Sequence, residues 1–331
     1  MKPGFMTGDY LINLDSEDEG QLFVSCAGGV RTEATYTVDE EKLPEGFSTF
    51  NLVVKGLTGG HSGDDINKKR ANANKLLVRF LCEQSEKTDL RLCDIQAGGL
   101  HNAIPREAHA TVAVPTAYVA TFGEELQAFV EKVRDEFSAT EPELTAIIEP
   151  VAAAPTCICK EQAERLLKSL SVVHNGIFAM SQDLEGLVET SSNLASVRKH
   201  GNQIVATTSQ RSSVASNLEY MASVVRSAFE LGGAKCVTNE GYPGWKMNPK
   251  SEILKVCVDS YKRLFGKDPL VRAIHAGLEC GLFSEKYPHL DMVSFGPTLR
   301  GVHSPDERLL IPTVQMVWDH LLDVLKNVPE K

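Results

Sequence analysis

Apolar residues recur along this chain at two spacings, and the alternation between the spacings lays out its elements. Ala73, Leu76, Leu77, Phe80 and Leu81 fall on one helical face. So do Phe122, Leu126, Phe129, Val130, Val133 and Phe137, and again Leu218, Met221, Ala222, Val225 and Phe229. A fourth helix carries Ile253, Leu254, Cys257, Val258, Tyr261 and Leu264 and is stopped by Gly266. The last carries Val314, Val317, Leu321, Val324 and Leu325, with Pro312 at its start, where a missing amide costs nothing. Between the helices lie short runs of strand character. Residues 10–14 and 22–26 read as a hairpin-like pair. Residues 49–55, 90–97, 109–114 and 145–149 interleave with the first two helices. Residues 204–208 and 234–238 flank the third helix, and strands around His275 and Phe295 follow the fourth.

Strand, helix, strand, strand, helix, strand is the order of a split βαβ sandwich. Residues 29–225 have room for two such units, although no tandem repeat or low-complexity linker is visible. From Lys250 onward, helices and strands look like one flank of a separate α/β layer, which the first strand pair rejoins.

Composition narrows the function classes. The chain has 331 residues, 42% of them hydrophobic, and a net charge of −10. It is long enough for two cores. The acidic balance and the lack of a basic stripe argue against nucleic acid as a partner. No apolar run is long enough to span a membrane, and the first residues show no signal-peptide core, so a cytoplasmic location is expected. The eight cysteines are scattered, mostly within apolar stretches, and read as free thiols.

Four clusters carry candidate chemistry. In residues 11–20 an apolar strand runs into Asp15, Glu17, Asp18 and Glu19. That is either a cation-binding strand tip or a solvated acidic turn. In residues 56–64 a Gly-rich loop presents His61, which is either a donor to a developing oxyanion or a loop histidine of no consequence. In residues 98–105 Asn102 is placed to bond a substrate carbonyl or to close a turn before Pro105. In residues 295–307 a loop beyond a strand carries His303, a metal ligand or a surface histidine. None of these is a self-sufficient metal motif.

Taken in order, these clusters resemble one family, the aminoacyl-histidine (Xaa-His, PepD-type) dipeptidases of the dinuclear-zinc superfamily that includes carnosinases and aminoacylases. The resemblance rests on residues 11–20, on Gly59-Gly60-His61-Ser62-Gly63, on the run from His275 through Glu279 to Phe283, and on residues 301–307. It implies an α/β fold: a partial catalytic α/β domain made of residues 1–28 and 226–331, interrupted by an α+β lid and dimerisation domain over residues 29–225. It implies zinc as cofactor, two ions per full-length subunit, with Asp15 ligating one and His303 the other. It implies that His61 reaches across a homodimer to steady the oxyanion. Asn102 and Arg211 would hold the dipeptide, Arg211 by its C-terminal carboxylate, with His275 and Glu279 lining the pocket.

The chain also departs from that family. The family's His-x-Asp strand motif, a bridging Asp and a Glu-Glu pair all precede the position matching Asp15, and no counterpart of them occurs here. Glu124-Glu125 falls at a lid helix instead. The resemblance therefore implies a chain lacking roughly 150 residues, about a domain's worth. With one protein ligand per metal, such a chain is expected not to turn over by itself. Two other readings follow: a non-enzymatic dimerisation or binding module derived from the lid, or a deacylase or desuccinylase of the same superfamily. The 276–283 segment and the long lid weigh against the second.

Overall fold

The computed structural model describes residues 4–182, 184–300 and 307–329. The chain opens with β1 (Tyr10–Asn13), β2 (Gln21–Cys26), β3 (Gly28–Thr37) and the short β4 (Glu40–Lys42). Then come β5 (Phe47–Lys55), β6 (Gly60–His61), α1 (Ala73–Ser85), β7 (Arg91–Gly98), β8 (Ala103–Ile104), β9 (Ala108–Pro115), α2 (Val119–Glu136) and β10 (Thr145–Pro150). The middle holds β11 (Thr156–Ile158), α3 (Lys160–Val172), β12 (Gly176–Met180), β13 (Val188–His200), β14 (Gln203–Ser212), α4 (Ala215–Leu231) and β15 (Lys235–Thr238). The last part is α5 (Glu252–Phe265), β16 (Leu270–Ile274), α6 (Glu279–Lys286), β17 (Asp291–Ser294), β18 (Leu299–Arg300), β19 (Arg308–Leu309) and α7 (Pro312–Asn327).

Local chemistry explains several of these boundaries. The Asn72 side chain accepts the amides of Asn74 and Lys75 and so caps α1. Ser251 caps α5 by accepting the amide of Leu254, and Gly266, at φ 66°, ends that helix in the left-handed conformation. Pro312 opens α7. On α1 the sequence-marked face, Leu76, Leu77, Phe80 and Leu81, is buried, each side chain contributing about 1.5–3 kcal/mol of transfer free energy.

A nine-stranded sheet runs β10-β5-β9-β7-β13-β14-β3-β15, with β12 taking the length of the β13 edge that β7 leaves. Its strands pair antiparallel throughout. It contains two units of the same design. The first is β5-α1-β7-β9-α2-β10, in spatial order β10-β5-β9-β7. The second is β3-α3-β13-β14-α4-β15, in spatial order β15-β3-β14-β13. The first unit is inserted between β3 and α3 of the second, so the repeat is nested and not tandem. The units meet where β13 pairs β7, Ser196 opposite Gly98 and Arg198 opposite Gln96, and α1 packs on α3. Helices α1 to α4 share one apolar cluster with the strands beneath them. Helix α4 runs through residue 225, the expected lid boundary, and β15 beyond it pairs with β3.

The second sheet has four strands in the order β1-β17-β2-β16. Here the expected hairpin of residues 10–14 with 22–26 does not form. β17 stands between them, parallel to β1 and touching β2. Residues 14–20 are too long and too acidic for the tight turn a hairpin needs, and they cross over the end of β17. Helices α5 and α7 cover one face through Ile253, Cys257 and Val324 on Leu22, Val293 and Phe295. Cys26, Trp245, Cys280, Tyr287 and Met292 fill the other face. All eight cysteines are free thiols. Among the described residues no helix is long and apolar enough to cross a membrane.

Candidate functional site

The acidic loop begins where β1 ends. Asn13 organises it: its Oδ1 accepts the Asp15 amide at 3.0 Å and the Ser294 hydroxyl at 2.7 Å. Its Nδ2 points at Glu279 Oε2, 3.4 Å away, so Asn13 links Glu279 to the backbone of exposed Asp15. β1 and β17 are parallel, so both deliver their C-terminal ends here. Loops beyond such ends are where open α/β sheets place ligands.

The stretch that leads toward His303 is fastened to the same loop. The Leu299 amide donates to Glu17 O at 3.0 Å, and the Glu19 amide donates to Thr298 Oγ1 at 3.2 Å. Arg300 donates to Glu17 O at 3.2 Å and pairs with Asp18 at 2.8 Å. Tyr261 on α5 donates its hydroxyl to Glu19 Oε1 at 2.5 Å and holds the loop from behind. Gly296 lies so close that a Cβ there would stand 1.9 Å from Ser16 O. His303 itself lies outside the described residues, as does most of the 301–307 motif.

A second group gathers at the seam between the two sheets. β6 pairs with β8, and the Ser62 amide donates to Asn102 O at 2.8 Å, which keeps Asn102 beside the His61 loop. His61 Nδ1 accepts from the amides of Gly63 (3.3 Å) and Asp64 (3.1 Å). Nδ1 also lies 3.3 Å from the Asp64 carboxylate, while Nε2 faces the Arg211 guanidinium. Arg211, near the end of β14, is only 8% exposed. Its Nη1 donates to the Tyr242 hydroxyl at 2.8 Å, its Nη2 has only the His61 ring at 3.5 Å, and its Nε has no partner. The guanidinium thus has donors to spare for an anion. A cavity of about 220 Å³ opens beside it, lined by Gln210, Arg31, His101 and Tyr242 among others.

His275 is 6% exposed, its Nε2 is 2.7 Å from Ser191 Oγ on β13, and its Nδ1 has no partner. Burial, reinforced by the Arg211 charge, pushes its pKa down to about 4, so the ring is neutral near pH 7. It ties the segment after β16 to β13 through Ser191. The His61 loop presses on the same segment: a Cβ on Gly63 would stand 2.3 Å from His275 O. Gly63→Ala is therefore expected to cost about 1–3 kcal/mol of stability, the usual range for overpacking, read as a lower denaturation midpoint.

The two groups share a cavity of about 320 Å³. Asp18 and Gln21 from the acidic end line it together with Gly63, Asp64 and His275 from the seam. Of the residues singled out in the sequence, His275 lines this cavity, while Asp15 and Glu279 lie by the acidic loop and His61, Asn102 and Arg211 by the seam. Sequence reasoning passed over Asn13, Ser191, Ser294 and Tyr242, the polar residues that position the others. No motif marks them, and their roles come from long-range pairing alone.

Whether these residues fit a zinc pair follows from the donors. Among the described residues no group of three or more His, Cys, Asp or Glu side chains comes together to hold a metal. Protein zinc sites take three or four such ligands per ion. The described residues by themselves therefore do not fit the group.

Comparison with known proteins agrees with the fold. Residues 45–144 match the family described as a peptidase dimerisation domain. The whole chain is 40% identical to the cytosol non-specific dipeptidase of Escherichia coli (strain K12) and covers 68% of it. The crystal structure of aminoacylhistidine dipeptidase from Vibrio alginolyticus matches all of this chain at a TM-score of 0.96 and 40% identity, with 68% of that protein covered.

Proposed function

Because this chain belongs to the family of aminoacylhistidine and cytosol non-specific dipeptidases, which are metallopeptidases, we propose that it serves the hydrolysis of Xaa-His and other dipeptides with a free amino terminus. The observation that carries this reading is the fastening of residues 296–300 to the Asp15 loop, which brings the approach to His303 to the carboxylate end of β1. In this assignment Asp15 and His303 are metal ligands, one for each of two zinc ions. Arg211 takes the dipeptide's C-terminal carboxylate with its unspent donors, and Asn102 bonds the backbone of the substrate. His61 steadies the oxyanion. Glu279 and His275 shape the two ends of the cleft.

Zinc supplies an activated water in chemistry of this class. Asp15 and His303 are too few donors to hold either ion well, and the chain by itself does not turn over. The dimerisation-domain match over residues 45–144 equally suits a lid-derived binding module, and the assay below separates the two. The dimerisation-domain match supports a homodimer through the lid. β10, just beyond the matched stretch, ends the nine-stranded sheet with an edge that no described strand covers. The E. coli relative's name supports a cytoplasmic location.

Supplied with zinc and with the part of the E. coli relative that it does not span, the chain is expected to release histidine from a dipeptide ending in histidine. The N-acetylated dipeptide should survive. Equal cleavage of both, or of neither, would remove the assignment.

A further inference from the structure

We propose that Tyr242 is a positioning residue for the C-terminal carboxylate of the dipeptide: its hydroxyl pins one end of the Arg211 guanidinium, so that the opposite edge is the one offered to the substrate. The claim rests on the dipeptidase reading, in which Arg211 takes that carboxylate.

Backbone and ring of Tyr242 are both held. The residue lies in the segment after β15, where its amide donates to Gly29 O at 2.9 Å and its carbonyl accepts the Gly29 amide at 2.9 Å. Trp245 and Cys26 bridge in the same way. This short ladder runs beside the crossing from β2 of one sheet to β3 of the other. Two glycines make room for the ring. A Cβ on Gly29 would stand 2.7 Å from the hydroxyl oxygen, and one on Gly277 would stand 2.8 Å from Cε2. A side chain at either position would push the ring aside, so its placement needs both.

The guanidinium is what this placement acts on. Arg211 Nη1 donates to the Tyr242 oxygen at 2.8 Å. A guanidinium gives a carboxylate two parallel N–H bonds from one edge, and Nε with Nη2 makes one such fork. With Nη1 taken, that fork holds the unspent donors: Nε has no partner, and Nη2 has only the His61 ring at 3.5 Å. Tyrosine suits the task in charge as well as in reach. Burial raises its pKa, so the hydroxyl stays neutral and brings no negative charge to compete with the substrate's. A carboxylate in its place would pair with Arg211 and close the site to a second anion. Tyr242 lines the same cavity of about 220 Å³ as Arg211, so it stands at the site and not behind it.

The test is Tyr242→Phe, which keeps the ring and the backbone bonds and removes only the hydroxyl. In the zinc-loaded, completed enzyme, KM for a dipeptide ending in histidine should rise about tenfold with kcat within about twofold of wild type, the mark of lost binding and not of lost chemistry. The C-terminal amide of the same dipeptide should show no change. Gly29→Ala, which displaces the hydroxyl with tyrosine still present, should give the same split, and it replaces Tyr242→Phe if that variant does not fold. An unchanged KM for the acid, or an equal change for acid and amide, would overturn the proposal. The link itself is read without zinc or substrate. In the chain labelled with ¹⁵N-arginine, the Nη signals that vanish in Arg211→Met should be separate in wild type, because a held Nη1 slows rotation about Cζ–Nε. They should merge in Tyr242→Phe. Signals merged in both, or separate in both, would also overturn it. If the completed enzyme cleaves no dipeptide, the dipeptidase reading falls, and the arginine signals still decide whether Tyr242 holds Arg211.

Discussion

Arg211→Met should lower kcat/KM for dipeptides with a free C-terminal carboxylate on the order of 10²-fold in the zinc-loaded, completed enzyme. The argument is one of unspent donors. The guanidinium is buried, donates once to Tyr242, and keeps Nε and Nη2 without a good partner. A carboxylate arriving there gains charge-assisted bonds in a site where water is scarce. Removing one partner of a buried, hydrogen-bonded charge pair costs about 2–5 kcal/mol, and each 1.4 kcal/mol is about tenfold. The dipeptide C-terminal amide is the control. Wild-type enzyme should strongly prefer the carboxylate, and the variant should treat acid and amide alike. An unchanged preference in Arg211→Met would show that the carboxylate is bound elsewhere.

Acidification should cost the folded chain roughly 3 kcal/mol between pH 6.5 and pH 4 through His275 alone. Its pKa falls from 6.5 to about 4 on folding, first because it is buried and then because Arg211 is charged. Below pH 6.5 the unfolded chain takes up a proton that the folded chain refuses. Stability therefore falls as pH drops through this window and is level above it. At 1.36 kcal/mol per pKa unit the loss is about 3 kcal/mol by pH 4. Burial lowers His320 and His174 as well, and both act in the same sense. The informative quantity is thus the difference between wild type and His275→Gln in urea unfolding at pH 7 and pH 4. Glutamine can still bond Ser191 but cannot titrate, so its curve should lose the His275 share of the slope. Parallel curves would remove the seam role of a neutral imidazole.

How much was legible depended on contrast. The apolar stripes of α1, α2, α4, α5 and α7 stand against charged neighbours, and each appeared in the sequence. Helix α3 was passed over although Ala163, Leu166, Leu167 and Leu170 are spaced for one face and buried. β13 could not be found from alternation. Thr190, Ser191, Ser192 and Asn193 are all buried, so polar residues occupy the very positions where apolar ones signal a strand. The nesting of one unit within the other is a fact of pairing, since β3 and its partners β14 and β15 are separated by the whole inserted unit. The candidate site was legible in part. His61 and Asp15 lie in short distinctive runs, whereas the company Arg211 keeps with Tyr242 and His275 exists only after the sheets meet.

The central claim is the proposal that Asp15 and His303 supply part, and only part, of a dinuclear zinc site. Competition of this chain against a zinc chelator tests that most directly, run on the wild type, Asp15→Ala and His303→Ala. The account predicts weak uptake that each substitution lowers further, rising to two tightly held ions only when the span absent from this chain is supplied. Two zinc ions held firmly by these 331 residues alone, and held equally well after Asp15→Ala, would contradict it.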